Sequence, residues 1–127
     1  THHASSAASD VYKRQDNKAN KKFVQDFQKE YGRLPSLYAS QGYDTGKLLI
    51  SALNVADVKD QDKFRSALKN ANFESTRGSF KFDTNQHPIQ DIYVREVIKE
   101  GKILTNKIIS TGLKNRSNAY VKDCPLK

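Results

Sequence analysis

The chain has 127 residues, 36% of them hydrophobic, with a mean hydropathy of −0.78 and a formal net charge of +8. This is an ordinary globular composition, and no apolar run approaches the roughly 20 residues that a membrane-spanning helix needs. The positive charge invites a nucleic-acid reading. However, Lys and Arg are scattered among Asp and Glu in every segment, with no basic stripe interleaved with stacking aromatics and no helix-turn-helix or RNP pattern. The charge is read as a solvated surface, and a basic nucleic-acid-binding fragment is kept only as an alternative.

Residues Thr1 to Gln15 carry no hydrophobic period, and SSAASDVYKRQ has the composition of an unstructured segment. Its end, DVYKRQ, is also what an in-frame translation of a transposase sequencing adaptor ending AGATGTGTATAAGAGACAG continues into. Residues 1–15 are therefore expected to be a non-native or disordered leader, with native sequence beginning near Asp16; a natural disordered tail is the other reading. The sequence opens on no secretory signal pattern, which says nothing about where the natural protein begins. His2 and His3 fall in the leader. With only His87 and Cys124 elsewhere, at no ligand spacing, they make no tetrahedral zinc set.

From Asp16 to Gly32, Phe23, Phe27 and Tyr31 recur at four-residue steps with Val24 beside them, and Lys, Gln and Glu fill the other side. The pattern predicts an amphipathic helix, stopped by Gly32, whose aromatic stripe is a core face. A short link leads into PSLYASQGYDTGKLLISALNVA. Pro35 cannot continue the preceding helix and Ser36 is an N-cap, so a second helix is expected from Leu37 to near Ala56. On it, Tyr38, Gly42, Thr45/Gly46, Leu49, Leu53 and Ala56 share one face. Two glycines a turn apart cost helix propensity, so the stripe is expected to face inward, with its backbone close to a sheet. Tyr38 stands in the first turn, at the positive end of the helix dipole, where an anion or carboxylate is favoured. Tyr43 and Asp44 lie on another side and are expected to be scaffold.

A third amphipathic helix is predicted within Asp57 to Asn72, with Phe64, Ala67, Leu68 and Ala71 on its apolar side and Asp60 or Asp62 as cap. The period then changes to two. Phe80 and Phe82 share a face across FKF and Gly78 marks a bulge or turn, so Phe73 to Asp83 is read as extended, followed by the turn DTNQHP. From Ile89 the pattern predicts a hairpin: Ile92, Val94 and Ile98 on one face, Tyr93 and Val97 on the other, a turn at 99–102, and a return strand over Ile103 to Thr111. Asn115 to Cys124 is expected to form a short terminal helix.

Ser40, Asp44 and His87 supply the residue types of a nucleophile, orienter and base. There is no G-x-S-x-G elbow, P-loop, paired-carboxylate motif or cofactor fingerprint around them, so no enzyme, cofactor or metal site is expected.

Read in order, NKKFVQDFQKEYGRLPSLYASQGYDTGKLLISAL and FESTRGSFKFDTNQHPIQDIYVREV resemble the C-terminal part of type I periplasmic solute-binding proteins of ABC importers. The similarity is to the branch of branched-chain amino-acid binders and their relatives with aromatic-acid ligands. It runs over Asn17 to Cys124, and YGR-P-S, QGYD, STRG-FKF and PIQD-Y-REV in succession carry it. The resemblance implies an α/β fold that is a partial type I periplasmic-binding-protein fold: three helices, an extended segment and a β-hairpin of an incomplete two-lobe architecture. Residues 16–88 would be the C-terminal part of the first lobe, and 89–127 the hairpin and tail of the second. The implied function is capture of a small amino acid or related carboxylate between two lobes and delivery to ABC permease subunits in the periplasm. A ligand-sensing receptor domain of the same fold is the alternative. The family's aromatic ligand contact, counted back from the GYD-type motif, falls on Tyr38, and Gln41 is a weaker candidate. A helix-start aromatic wedged in the core, its hydroxyl partnered, remains the other reading of Tyr38. Cys124, the one cysteine, either pairs with a residue upstream of the resemblance or is a free thiol.

Overall fold

In the computed structural model, which describes residues 17–101 and 103–124, the chain runs through α1 (Lys18–Tyr31), α2 (Leu37–Leu53), α3 (Gln61–Lys69), β1 (Lys81–Phe82), β2 (Pro88–Glu100), β3 (Ile103–Arg116) and a 3-10 turn, Val121–Asp123. The readings made for the leader and its two histidines lie outside the described residues. No described helix is long and apolar enough to cross a membrane.

Each helix starts where the sequence offers a cap. Asn17, Ser36 and Asp60 accept the backbone N–H groups of Asn20, Ala39 and Lys63 at 2.9, 3.2 and 3.1 Å, satisfying donors that a helix start leaves free. Gly32 ends α1 at φ 63°, its N–H donating to Gln28 O at 2.9 Å; a residue with a Cβ is disfavoured there. The aromatic stripe of α1 forms a ladder, with ring centres 5.8 Å apart for Phe23–Phe27 and 4.5 Å for Phe27–Tyr31, and Phe23 meets Tyr43 of α2 at 4.7 Å. Phe23 and Val24 are buried as a core face should be, whereas Tyr31 is exposed.

On α2 the structure corrects the expected direction of burial. Its buried residues are Ser40, Asp44 and Ala52, while the stripe read as inward is open: Leu49, Leu53 and Tyr38 are exposed, and a side chain at Gly42 or Gly46 would meet nothing within 4 Å. The reason is polar. Asp44 is needed by the turn that follows α3, and satisfying it rotates the opposite face of α2 away from the described chain. α3 packs against α2, and the segment after α3 is tied to α2 by Ser51, whose hydroxyl donates to Asn72 O at 3.1 Å while Asn72 N–H donates back at 3.0 Å.

The segment read as extended from Phe73 is interrupted by a tight turn over 75–78, where Gly78 was expected to mark a bulge or turn. Gly78 N–H donates to Ser75 O at 3.2 Å, and strand geometry begins only at Lys81. The turn brings Phe80 within 5.1 Å of Phe73 and 5.0 Å of Phe82, ring centre to ring centre, the latter edge-on. β1–β2–β3 form an antiparallel sheet in that order. The β2–β3 register shifts at three places between Gln90 and Arg95. Gly112 sits opposite this irregular stretch, where a Cβ would stand 3.4 Å from Val94 Cγ2. The hairpin outruns its expectation: Arg116 still pairs with Gln90, so the terminal helix predicted over 115–124 shrinks to the 3-10 turn. Ile92, Val94, Val97, Ile109 and Leu113 are all exposed.

Candidate functional site

The densest chemistry in the described chain is a buried polar node. Among the described residues the buried apolar side chains are Phe23, Val24 and Ala52, whereas the buried polar ones are Asn20, Ser40, Asp44, Ser75, Thr76 and Asn85. Specific hydrogen bonds rather than an apolar core therefore hold the helices to the turn. Asp44, 3% exposed, accepts the Ser75 hydroxyl at 2.6 Å and Thr76 N–H at 2.9 Å, with Arg77 Nε at 3.4 Å. One turn earlier on α2, Ser40 shares a 2.7 Å hydroxyl contact with Thr76. From α1, the Asn17 amide donates to the carbonyls of Ser75 and Thr76, both at 3.1 Å. Arg77 extends the node to the hairpin, its Nη1 donating to Gln90 Oε1 at 3.4 Å.

This node assigns Ser40, Asp44 and His87 their places. Ser40 and Asp44 are engaged with residues 75–77, and His87 is an exposed turn residue whose carbonyl accepts Asp83 N–H at 2.8 Å. The three do not converge on a relay. Asp44 sits in the scaffold, and Tyr43 packs on α1 with Lys47 Nζ 5.7 Å from its ring centre. Cys124 is half-buried and has no cysteine partner within this chain. Three of the cations on the helices are paired with acids: Lys22–Asp26 and Lys63–Asp60 at 2.8 Å and Arg65–Asp62 at 3.2 Å. At the hairpin, burial and the neighbouring Asp91 raise the Tyr93 hydroxyl above its ordinary pKa; Tyr93 donates to Asp91 at 3.4 Å.

Tyr38 and Gln41, the two residues singled out as ligand contacts, lie one turn apart at the exposed start of α2, with Tyr38 78% exposed. An exposed ring is no core wedge within this chain. Neither residue lines the open grooves nearby. One, of about 470 Å³, runs between α1 and α2 along Phe23, Phe27, Tyr31, Ala39 and Tyr43 with Asp26 and Glu30 on its rim. The other, of about 340 Å³, lies between Leu48, Leu68 and Phe82 with Arg65, Lys69 and Gln86. The described chain thus supplies at most one wall of a site at Tyr38. Of the node, sequence reading placed only Asp44 as scaffold; Asn17, an Asn just ahead of the first apolar period, is the cap signal it left unused.

Known structures share this architecture. A solute-binding protein of an ABC transporter from Rhodopseudomonas palustris, solved with benzoate, is 30% identical with a TM-score of 0.73, over 84% of this chain and 29% of that one. A second, from strain BisB5 and solved with 3,4-dihydroxybenzoic acid, is 30% identical with a TM-score of 0.63, over 81% of this chain and 30% of that one. An ABC-type branched-chain amino acid transporter protein from R. palustris CGA009 shares the fold at 20% identity and a TM-score of 0.70, over 82% of this chain and 29% of that one. The chain therefore spans less than a third of the length of these relatives. These neighbours are transport proteins rather than enzymes. Among curated protein sequences none matches. The periplasmic binding protein family model matches residues 3–102, most of the chain, and with the helices, turn and hairpin in the order those structures share, this chain belongs to the periplasmic binding protein family.

Proposed function

We propose that the chain is the C-terminal part of the solute-binding component of an ABC importer, and that the solute is a small carboxylate, an aromatic acid or a branched-chain amino acid. In this reading residues 16–88 belong to the first lobe and 89–127 to the second, the complete protein works outside the cytoplasmic membrane, and its closed form delivers solute to permease subunits. The observation that carries it is the exposed aromatic Tyr38 at the start of α2, in a chain 30% identical to two solute-binding proteins solved with ring carboxylates. Those two relatives favour an aromatic acid over an aliphatic amino acid. Tyr38 would cover the ring of the solute and Gln41 would offer an amide to its polar edge. A stacked ring is worth about 0.5–1.5 kcal/mol beyond the area it buries.

The test is calorimetry on the complete protein with benzoate, 3,4-dihydroxybenzoate and leucine. Tyr38→Ala is expected to weaken the best ligand by roughly three- to tenfold, since about 1.4 kcal/mol is a factor of ten, and Tyr38→Phe to keep most of the affinity. The melting temperature of the unliganded protein, measured alongside, separates lost ligand contact from lost packing at Tyr38. Unchanged affinity in Tyr38→Ala would remove Tyr38 from the site, and no heat with any of the three would remove the solute class.

A further inference from the structure

We infer that Arg77 is the positioning residue that sets the direction of the β2–β3 hairpin against the helices; its consequence for solute capture rests on the reading above, in which the two belong to opposite lobes. The guanidinium spans both units. Its Nε donates to Asp44 Oδ2 and its Nη1 to Gln90 Oε1, each at 3.4 Å, and its central carbon stands 5.3 Å from the Phe80 ring centre. One end of this span is fixed. Asp44 is almost wholly buried and is already held by Ser75 and Thr76, so α2 presents its carboxylate in one orientation. The other end is where the hairpin begins to leave the helical unit: Gln90 lies three positions into β2's ordered run and pairs with Arg116, the last residue of β3.

A planar, forked cation holds two acceptors in a set mutual geometry, which a point-charge ammonium does not. With its side chain 21% exposed, Arg77 keeps limited access to water. The guanidinium's bonds to Asp44 and Gln90 are near the long limit of a hydrogen bond, so rotation of the hairpin away from α2 parts them early, whereas the shorter Asp44–Ser75 and Asp44–Thr76 bonds survive. Arg77 therefore favours one angle between the units. A contact that favours one angle biases the populations of open and closed forms, and through them the apparent affinity for solute.

The experiment uses the complete protein with Cys124→Ser and spin labels at Ser66→Cys on α3 and Lys107→Cys on β3, both exposed positions, and measures the distance distribution without solute. The parent is expected to give one narrow distance, and Arg77→Ala and Gln90→Ala to broaden or displace it. Arg77→Lys keeps a charge for Asp44 but not the fork, and is expected to recover the denaturation midpoint without recovering the narrow distance. Benzoate titrations of the same variants should show shifted half-saturation. Should Arg77→Ala fail to fold, Gln90→Ala decides, because it leaves every bond to Asp44 in place. A parent-like distribution in Gln90→Ala, or in a folded Arg77→Ala, overturns the inference, as does Arg77→Lys restoring distance and midpoint together. A parent that takes up no carboxylate, with the distribution still broadened in the variants, supports the role of Arg77 and removes the proposed function.

Discussion

The helical unit and the hairpin solve the same problem in opposite ways. Residues 17–78 surround a buried polar node, in which Asn17, Ser40, Asp44, Ser75 and Thr76 are bonded across 31 to 59 residues of sequence. The hairpin is stitched along its backbone from Glu100–Ile103 to Gln90–Arg116, yet Ile92, Val94, Val97, Ile109 and Leu113 stand open to solvent. Hydrogen bonds define geometry but contribute little net stability each, whereas apolar burial supplies most of it. The chain thus specifies how its parts are oriented far better than it supplies the energy to hold them.

The largest effect expected from that contrast concerns the isolated chain. With Tyr38, Leu49, Ile50 and Leu53 exposed on α2 as well as the hairpin faces, the apolar surface exceeds what a small domain normally leaves open. Residues 16–127 expressed alone are expected to give no sharp thermal transition, to bind an apolar dye and to self-associate. Calorimetry and sedimentation check this. A single cooperative transition together with solute binding would break the comparison, since the hairpin would then need no cover.

Next in size is the node itself. Asp44→Ala removes the acceptor that the Ser75 hydroxyl and Thr76 N–H share and the anion beside Arg77. Removing one partner of a buried ion pair costs about 3–5 kcal/mol, and the partial exposure of Arg77 places this one toward about 3. Denaturant titration of the complete protein measures it. A loss below about 1 kcal/mol would mean that the orientation of α2 is set by contacts other than the node. Ser36→Ala is smaller. It removes only the acceptor for Ala39 N–H, for which about 1 kcal/mol is typical, and the same titration should rank it well below Asp44→Ala.

What the sequence made legible follows the same divide. Ser36 and Gly32 were readable, and Asp60 as one of two candidates with Asp62, because a cap is a local event, complete within four residues. The hairpin was readable because β-branched residues alternate on either side of Gly101, but the turn expected over 99–102 is tighter: Lys99 and Glu100 still pair, with Leu104 and Ile103. The node was not readable, since nothing local announces that Asn17 will donate to Ser75 and Thr76, or that Asp44 will meet the STRG turn. For the same reason the hydrophobic period could not say what α2 packs on within this chain. It identified a real apolar face, carrying Leu49 and Leu53, but periodicity cannot say which partner a face will meet, and the described chain turns its polar face, Ser40 and Asp44, inward instead. The open face with its two unfilled glycine positions is what a helix offers to a sheet supplied from elsewhere. Of the candidate site, Tyr38 came from resemblance; the residues alone marked only the start of a helix.

The smallest effect separates the surface from the node by its response to acid and salt. Asp60 caps α3, and hydrogen bonds from the Lys63 side chain and then the Lys63 backbone N–H hold its carboxyl below the ordinary 3.8. A carboxyl whose pKa is lowered by folding contributes stability that is fully present above the unfolded value, near 3.8, and is lost as pH falls through the lower folded value. Asp60→Asn retains a capping oxygen but no charge. The gap in denaturation midpoint between parent and Asp60→Asn should therefore be constant from pH 7 to about pH 4 and close below it. Because Asp60 and Lys63 are solvated, 1 M salt, with a screening length of about 3 Å, should shrink the gap at neutral pH. The cost of Asp44→Ala should withstand the same salt, because water and ions reach Asp44 so poorly. A gap at Asp60 that widened on acidification would show that the carboxyl is destabilised rather than held by Lys63. An equal salt response at both positions would show that the node is as open to solvent as the cap, leaving the helical unit no more tightly built than the hairpin.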